Sequence, residues 1–396
     1  MTKETKRILL QVGLFLATFI TTTFAGAEWC FGKSVFALSA SKGIGFNAAY
    51  SWADFVSGMQ FSVPFLLILT VHEFGHYFVS MYHKIKASLP YYIPFPPNPL
   101  IPSIGTFGAV IRIEEKVRSN RQHFDIGLAG PLAGFIVAIA VIIYGYATLP
   151  PADYIFTVHP EYKQYGFNYA EHAYNPISET DSLAAMDFNI GTPLVYTICN
   201  QFIADKNRIP NSHELMHYPF LLAGFIALFF TSLNLLPIGQ LDGGHVTYGL
   251  FGGKGHRIIA SVFFVLFIFY AGLGVVKVGM PASSLVWRIP MITLFNYTCF
   301  AALMLPARRD SLMYALLMLA VQILLCWAFP KLEGYTGWLL FGFIISRFIG
   351  IQHPPSEIEE PLDAKRIVLG WFTLLIFILC FSLAPLDIYY IKPITG

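Results

Sequence analysis

Charged residues are scarce in this sequence. They make up 12% of the 396 residues, whereas soluble domains carry about 25%. Hydrophobic residues reach 56% and the mean hydropathy is +0.60, which excludes an ordinary soluble domain. No basic cluster is large enough to indicate a nucleic-acid partner, and the net charge of +2 is uninformative about partners. The composition predicts a multi-pass protein embedded in membrane lipid.

Paired cysteines are also lacking. The five cysteines show no CxxC spacing, which argues against a cysteine zinc site and against a disulfide framework. Cys299, Cys326 and Cys380 lie in apolar runs and are expected to be buried thiols. Cys30 and Cys199 could pair only if both lie outside the membrane. The sequence also shows no internal repeat and no low-complexity tract.

Long apolar runs, by contrast, are abundant. A spanning helix needs about 20 mostly apolar residues, and about nine segments meet this requirement. They lie near residues 8–27, 56–81, 124–149, 218–238, 258–277, 290–306, 311–329, 335–351 and 367–385. The first is favoured as an uncleaved helix over a signal peptide, whose apolar region usually has about 7–15 residues. The predicted fold is an all-α polytopic membrane protein.

Lysine and arginine predict an orientation for these helices. The loop 83–123 is rich in both and is expected inside, whereas the loop 150–217 has eight acidic residues and is expected outside. This arrangement places the N-terminus in the cytoplasm, and the basic inner loops favour a bacterial inner membrane. The short apolar stretch 191–204 is predicted to be an interfacial or re-entrant helix.

The second apolar run contains LLILTVHEFGHYFVSMY, residues 66–82, in which two histidines and a glutamate interrupt the apolar residues. His72 and His76 are four residues apart, so on a helix both imidazoles share a face and can bind one zinc ion. Glu73 can act as general base on a water without binding the metal itself. Ionisable groups inside a span are costly and by default mark a functional site. The sequence therefore predicts a zinc hydrolase site.

A catalytic zinc usually has three protein ligands. The fourth apolar run ends in FTSLNLLPIGQLDGGH, residues 230–245, where Pro237 and the glycines predict a broken helix. Asp242 is a candidate third ligand or else a cap of the next helix, and His245 is a rival ligand. Asn234 either makes an interhelical hydrogen bond or donates to the oxyanion of a tetrahedral intermediate.

HEFGH on one helix and NLLPIGQLDGGH on a later one resemble the site-2 proteases, intramembrane zinc metalloproteases of peptidase family M50. GLAGPLAGF, residues 127–135, is similar to the family's glycine-rich segment, with Gly134 where many members have asparagine. Close helix packing alone would also explain Gly130 and Gly134. The resemblance implies one zinc per chain, Asp242 rather than His245 as the third ligand, and Asn234 near the active site.

The resemblance also implies a function and a division of the chain. It implies regulated intramembrane proteolysis of single-span membrane proteins, such as anti-sigma factors or membrane-tethered regulators. The expected parts are an N-terminal helix and outer loop (1–55), a catalytic core that includes the loop 150–217 (56–257), and C-terminal transmembrane helices (258–396). Two alternatives are a non-catalytic membrane scaffold, which the intact Glu73 argues against, and a metal transporter. The scarcity of charge in the last helices argues against transport.

Residues 91–117 follow the second helix and contain several prolines, which exclude a helix. The alternation from Phe107 to Glu114 predicts a strand, and hence a small membrane-associated β-hairpin on the inner side. The family carries a membrane-dipping β structure at this place. Its edge is expected to hold an unwound substrate as an added strand.

Four histidines lie in the loop 150–217: His159, His172, His213 and His217. They show no metal-ligand spacing beyond the pair His213 and His217. Solvated or interfacial side chains, rather than ligands of a second metal, are expected for all four.

Overall fold

The computed structural model describes residues 2–39, 43–98, 103–175, 185–304 and 307–391, which are mostly helical. The helices are α1 Lys3–Phe31, α2 Trp52–Tyr82, α3 Asn120–Ala147, α4 Ile155–Val158, α5 Ala170–Ala173, α6 Leu194–Phe202, α7 Pro219–Asn234, α8 Asp242–Gly272, α9 Ala282–Ala302, α10 Arg308–Ala328, α11 Trp338–Ile344 and α12 Ala364–Cys380. The strands are β1 Phe36–Ser39, β2 Gly43–Phe46, β3 Tyr91–Pro94, β4 Thr106–Val110, β5 Ala185–Ile190 and β6 Leu386–Ile391.

Five of the described helices are long and apolar enough to cross a membrane, namely α1, α2, α3, α8 and α10. Two shorter apolar helices, Pro219–Asn234 and Trp338–Ile349, lie where further spans are predicted. α9 has 21 residues but is less apolar, and α12 has 17. The part of the chain that is described therefore gives five candidate spans, where its apolar runs predict about nine. The predicted class, a helical polytopic membrane protein, agrees with this architecture.

Proline and glycine explain why apolar runs and helices differ. α7 ends at Asn234 because Pro237 disfavours helical backbone at the residue before it. The predicted span 258–277 is instead the second half of α8, which begins at Asp242 and is broken at Gly252 (φ 66°, ψ 176°). α11 continues into a π-helical turn, Ile345–Ile349, and ends before Gly350, whose φ is 83°. α6 occupies the stretch predicted as a short helix.

The chain divides into two compact units, which are described separately. Unit 1 consists of Met1–Lys116, Ala129–Leu233 and Leu375–Gly396, and unit 2 consists of Val117–Leu128 and Asn234–Leu374.

In unit 1, small residues bring α1 and α2 into close contact. A Cβ atom on Gly26 would lie 2.5 Å from the carbonyl oxygen of Gly58, and a Cβ atom on Gly58 would lie 2.1 Å from that of Thr23. The buried Thr23 hydroxyl donates to Ser62 Oγ on α2 at 2.9 Å. Small residues and buried hydroxyl bonds are the usual means of helix association in lipid, so α1 forms a fixed support for α2.

The segment after α2 forms a two-stranded antiparallel sheet, in which Tyr91 pairs with Val110 and Tyr92 with Ala109. The register shifts between Tyr92 and Pro94, and Gly108 has a φ of 105°, which together indicate a bulge. The bulge breaks the predicted alternation, so Thr106 and Ala109 are buried while Phe107 is exposed. The strand pairing is present, and its place at a membrane surface stays a prediction.

The antiparallel pair of β5 and β6 was not predicted. β5, in the segment between α3 and α7, pairs with β6 near the C-terminus from Ala185↔Ile391 to Ile190↔Leu386. The segment between α3 and α7 and the C-terminal segment therefore meet in unit 1. Cys30 and Cys199, both in unit 1, are buried free thiols and do not pair with each other.

In unit 2, the segment between α11 and α12 runs beside the start of α3. The Asn120 side chain donates to the Glu360 carbonyl at 2.8 Å and accepts from the Glu360 amide at 2.9 Å. Arg366 donates to both carboxylate oxygens of Asp125, at 2.8 and 2.7 Å. These paired contacts hold residues 350–363 in a defined path.

Candidate active site

The C-terminal half of α2 carries the HEFGH motif. The helix begins with a capping box formed by Ser51 and Asp54, and the motif follows within its apolar sequence. His72, Glu73 and His76 are 6%, 5% and 7% exposed. The Nε2 atoms of the two histidines are 3.1 Å apart. The structure thus brings the predicted ligand pair together and buries the glutamate beside it.

This spacing fits a shared metal ion. Two ligands of a tetrahedral zinc with bonds of about 2.0–2.1 Å lie about 3.3–3.4 Å apart. The separation of 3.1 Å between the two Nε2 atoms is close to that value. A pair of imidazoles held at this distance in a buried place is suited to zinc more than to the oxygen-seeking ions magnesium and calcium.

The glycines of α3 make room for the two imidazoles. A Cβ atom on Gly75 of α2 would lie 2.6 Å from the Ala129 carbonyl oxygen, so the two helix backbones are in close contact. A Cβ atom on Gly130 would lie 2.1 Å from Nε2 of His76, and one on Gly134 would lie 3.0 Å from Cβ of His72. Gly130 and Gly134 therefore contact the candidate metal ligands directly. Their small size leaves room for the two imidazoles as well as for close packing of α2 and α3.

The β3–β4 pair lies beside the same helix. The Tyr92 hydroxyl is 2.7 Å from the Thr70 hydroxyl on α2, and Tyr92 forms a buried cluster with Leu66 and Ala109. Burial raises the pKa of Tyr92; the hydrogen bond to Thr70 opposes this shift and the negative charge of Glu73 adds to it. The sheet is thus within electrostatic reach of the candidate general base.

The broken segment predicted before His245 belongs to unit 2. Asn234 is the last residue of α7 and Asp242 is the first residue of α8, whose N-cap position is Leu241. Gly239 has a φ of 57°, and its amide donates to the Ile351 carbonyl at 2.9 Å. The approach of Asn234 and Asp242 to the histidine pair stays a prediction.

His245, the rival ligand, takes part in an interaction that the sequence did not reveal. Its Nδ1 is 2.7 Å from Nε2 of His353, and its ring stacks on His123 with 5.0 Å between centroids. Nδ1 of His353 in turn lies 2.6 Å from the Pro354 carbonyl oxygen. A carbonyl only accepts, so the proton on His353 is at Nδ1 and His245 donates to Nε2. No spacing signal connects residues this far apart in sequence.

Among the histidines of the segment between α3 and α7, His172 is exposed as expected, whereas His217 and His213 contact other residues. His217 is 9% exposed, and its Nδ1 is 3.0 Å from the Cys30 carbonyl oxygen. His213 forms an ion pair with Asp187, which belongs to β5. A solvated side chain is the wrong prediction for His217, which is buried against the end of α1, and an interfacial position stays a prediction.

Comparison with known proteins gives curated relatives from plants. The chain is 25% identical over 197 residues to the probable chloroplastic zinc metalloprotease EGY1 of Oryza sativa subsp. japonica, covering 50% of this chain and 28% of that protein. It is 26% identical over 209 residues to EGY1 of Arabidopsis thaliana, covering 51% and 31%. It is 27% identical over 195 residues to EGY2 of Oryza sativa subsp. indica, covering 49% and 30%. The chain thus spans less than a third of these relatives.

These relatives bear on three predictions from the sequence. Their names agree with the predicted enzyme class, a metalloendopeptidase, and with a zinc cofactor. They are named as chloroplastic proteins of plants, so they give no support to a bacterial inner membrane.

A family model described as Peptidase family M50 matches residues 60–276. Since that match covers more than half of the chain and includes HEFGH, the chain belongs to peptidase family M50, as its motifs predict.

Proposed function

We propose that this protein is a zinc-dependent endopeptidase that cleaves transmembrane segments of other membrane proteins. The observation that carries the proposal is the buried group His72, Glu73 and His76 in the C-terminal half of a helix long enough to cross a membrane. Membership of a peptidase family supports the same function. Neither the scaffold nor the transporter is favoured by any of these findings.

The proposed zinc ligands are His72, His76 and Asp242, with one zinc ion at this centre. Asp242 is supported by its place at a helix N-terminus, after a broken segment of the kind that lines cavities in membrane proteins. His245 is the rival ligand, and the resemblance to the site-2 proteases favours Asp242 over it; Nδ1 of His245 donates to His353. Replacing Asp242 with alanine should lower the zinc content by one ion per chain, while His245→Ala should leave it unchanged.

The remaining residues would handle the proton and the developing charge. A bound zinc supplies Lewis acidity and lowers the pKa of a coordinated water to about 7. Glu73 would take the proton of the attacking water and pass it to the leaving amine. Asn234 would donate a hydrogen bond to the oxyanion of the peptide group under attack. Burial of the motif limits the access of bulk water to the reaction.

The proposed substrates are single-span membrane proteins, such as anti-sigma factors or membrane-tethered regulators, cut in regulated intramembrane proteolysis. A helical segment must unwind before its peptide bonds can be attacked. β4 pairs with β3 on one side and carries the exposed side chains of Phe107 and Val110, 66% and 52% exposed. An unwound segment would add to the free edge of this pair as a further strand. The nine spans, the cytoplasmic N-terminus and the bacterial membrane stay predictions.

The test is cleavage by the purified chain in liposomes that also contain a labelled single-span protein. The wild type should release fragments, and chelation of zinc should stop the release. Glu73→Gln should retain zinc and release none, whereas Glu28→Gln, a matched change on α1, should cleave as the wild type does. Equal cleavage by Glu73→Gln and wild type would sink the proposal, as would a zinc-loaded wild type that binds membrane proteins without cutting any of a panel of them.

A further inference from the structure

Three side chains of unit 1 that the proposed function does not use meet in the segment between α3 and α7. His159 follows α4, while Glu214 and His217 lie in the turn before α7. Nε2 of His159 is 3.2 Å from Nε2 of His217 and 3.5 Å from Oε2 of Glu214. Nε2 of His217 is 3.4 Å from the same carboxylate oxygen. The three atoms thus form a nearly equilateral triangle.

The size of this triangle matches one metal ion. In a tetrahedral zinc site with bonds of about 2.0–2.1 Å, neighbouring ligand atoms lie about 3.3–3.4 Å apart. The three edges, 3.2, 3.4 and 3.5 Å, bracket that value. An ion bonded to all three atoms would sit just outside their plane, which leaves the fourth tetrahedral position open. Two histidines and a glutamate are a known ligand set for zinc.

The Nδ1 atoms of both imidazoles, which point away from the triangle, form hydrogen bonds of the kind found in metal sites. Nδ1 of His217 is 3.0 Å from the Cys30 carbonyl oxygen, which can only accept a hydrogen bond. Nδ1 of His159 is 3.0 Å from the Glu161 carboxylate, which accepts in the same way. Both imidazoles therefore carry their proton on Nδ1 and, when neutral, present an Nε2 lone pair to the centre. Carbonyl and carboxylate partners of this kind orient metal-bound histidines.

The carboxylate is oriented as well. Glu214 is 3% exposed, and its Oε1 accepts a hydrogen bond from the Tyr174 hydroxyl. Its Oε2 is left facing the two Nε2 atoms. A buried carboxylate and two imidazole lone pairs that converge on one point repel one another unless a cation lies between them. A single proton could bridge only one of the three pairs, whereas a divalent ion satisfies all three lone pairs.

We propose that His159, Glu214 and His217 form a second metal site, which binds a divalent transition ion of the zinc class. The site is separate from the HEFGH motif, and it would raise the zinc content from one to two ions per chain. Through the Cys30 carbonyl it would fasten the end of α1 to the turn that precedes α7.

Another three-histidine group, His123, His245 and His353 in unit 2, does not share these properties. The separation of 2.7 Å between His245 and His353 is that of a donor and an acceptor. It is too short for two ligands of one tetrahedral zinc, which lie about 3.3–3.4 Å apart. His245 and His353 are therefore a hydrogen-bonded pair on which the His123 ring packs, and the metal site is assigned to the carboxylate-containing cluster of unit 1.

The test is zinc per chain by elemental analysis of the full-length protein without a histidine tag. The protein is stripped with a chelator, reloaded with Zn²⁺ and separated from free metal by gel filtration. The wild type should hold two ions, Glu214→Gln one, His76→Ala one, and the combined variant none. His172→Ala, a matched change in the same segment, should keep two. One ion in the wild type that His76→Ala removes and Glu214→Gln leaves in place would overturn the second site.

A spectroscopic measurement keeps the test decisive if a variant folds poorly. The variant His72→Ala/His76→Ala leaves the proposed second site intact and removes the motif's histidines. Titration of this variant with Co²⁺ should produce the visible absorption of a tetrahedral cobalt centre, and adding Glu214→Gln should abolish that absorption. The absence of the cobalt band in a monodisperse His72→Ala/His76→Ala protein would contradict the proposal. Neither readout depends on proteolysis, so failure of one proposed site does not imply failure of the other.

Discussion

Replacing Gly130 with alanine should displace His76 and disable the candidate zinc centre. The added Cβ atom would lie 2.1 Å from Nε2 of His76 and 2.5 Å from both neighbouring ring carbons. The ring must move by about 1.3 Å to restore an ordinary contact of 3.4 Å. Metal–ligand distances tolerate only about 0.2 Å of error, and a misplacement of about 1 Å can cost about 100-fold in rate. We expect a loss of cleavage of at least that size, together with weaker zinc binding.

The assay compares three glycine variants for cleavage rate and zinc content in the same liposomes. At Gly134 the nearest atom to an added Cβ is Cβ of His72 at 3.0 Å, so alanine there should cost less than about 10-fold because the ring must shift by only a few tenths of an ångström. Gly13 on α1 has nothing within 4 Å of an added Cβ, so Gly13→Ala is the matched control and should have no effect. Wild-type zinc content and activity in Gly130→Ala would refute the idea that Gly130 clears space for the ring.

Three further outcomes follow from the same contacts. Glu73→Gln should lower the cleavage rate by about 10²–10⁴-fold, the usual share of a general base, with zinc content unchanged; loss of zinc would mean that Glu73 is a ligand. Val110→Pro should abolish cleavage and leave zinc bound, because proline cannot donate to a strand ladder, whereas Val110→Thr should cleave normally. Gly58→Ala should lower the free energy of unfolding by about 1–3 kcal/mol, since its Cβ would meet the Thr23 carbonyl of α1 at 2.1 Å; an unchanged thermal midpoint would show that α1 moves freely.

The sequence predicted the candidate site as far as local spacing allows. His72, Glu73 and His76 lie on one helix, so the period of the helix sets their relative positions, and the structure has the two Nε2 atoms 3.1 Å apart. The family was predicted from three motifs in order along the chain. The motifs do not explain why a small residue stands at position 130. The structure does, because a Cβ atom there would lie 2.1 Å from Nε2 of His76.

Features that depend on distant pairing were not predictable in this way. β6 pairs with β5 across nearly half of the chain, and neither strand has a strong pattern of its own. His159 and Glu214 come together only because the segment between α3 and α7 folds onto the end of α1, so their ligand spacing is absent from the sequence. The length of α7 was overestimated for a different reason. Apolar composition continues past Asn234, but the proline that follows ends the helix there.

The most direct test of the proposed function is the position of the cut in a single-span substrate. Fragments released by the wild-type protein in liposomes can be mapped by mass spectrometry, with Glu73→Gln as the inactive reference. The account predicts that the cut peptide bond lies within the hydrophobic segment and that the fragments are absent with Glu73→Gln. Cuts confined to the water-exposed parts of the substrate, or the same fragments from Glu73→Gln, would contradict it.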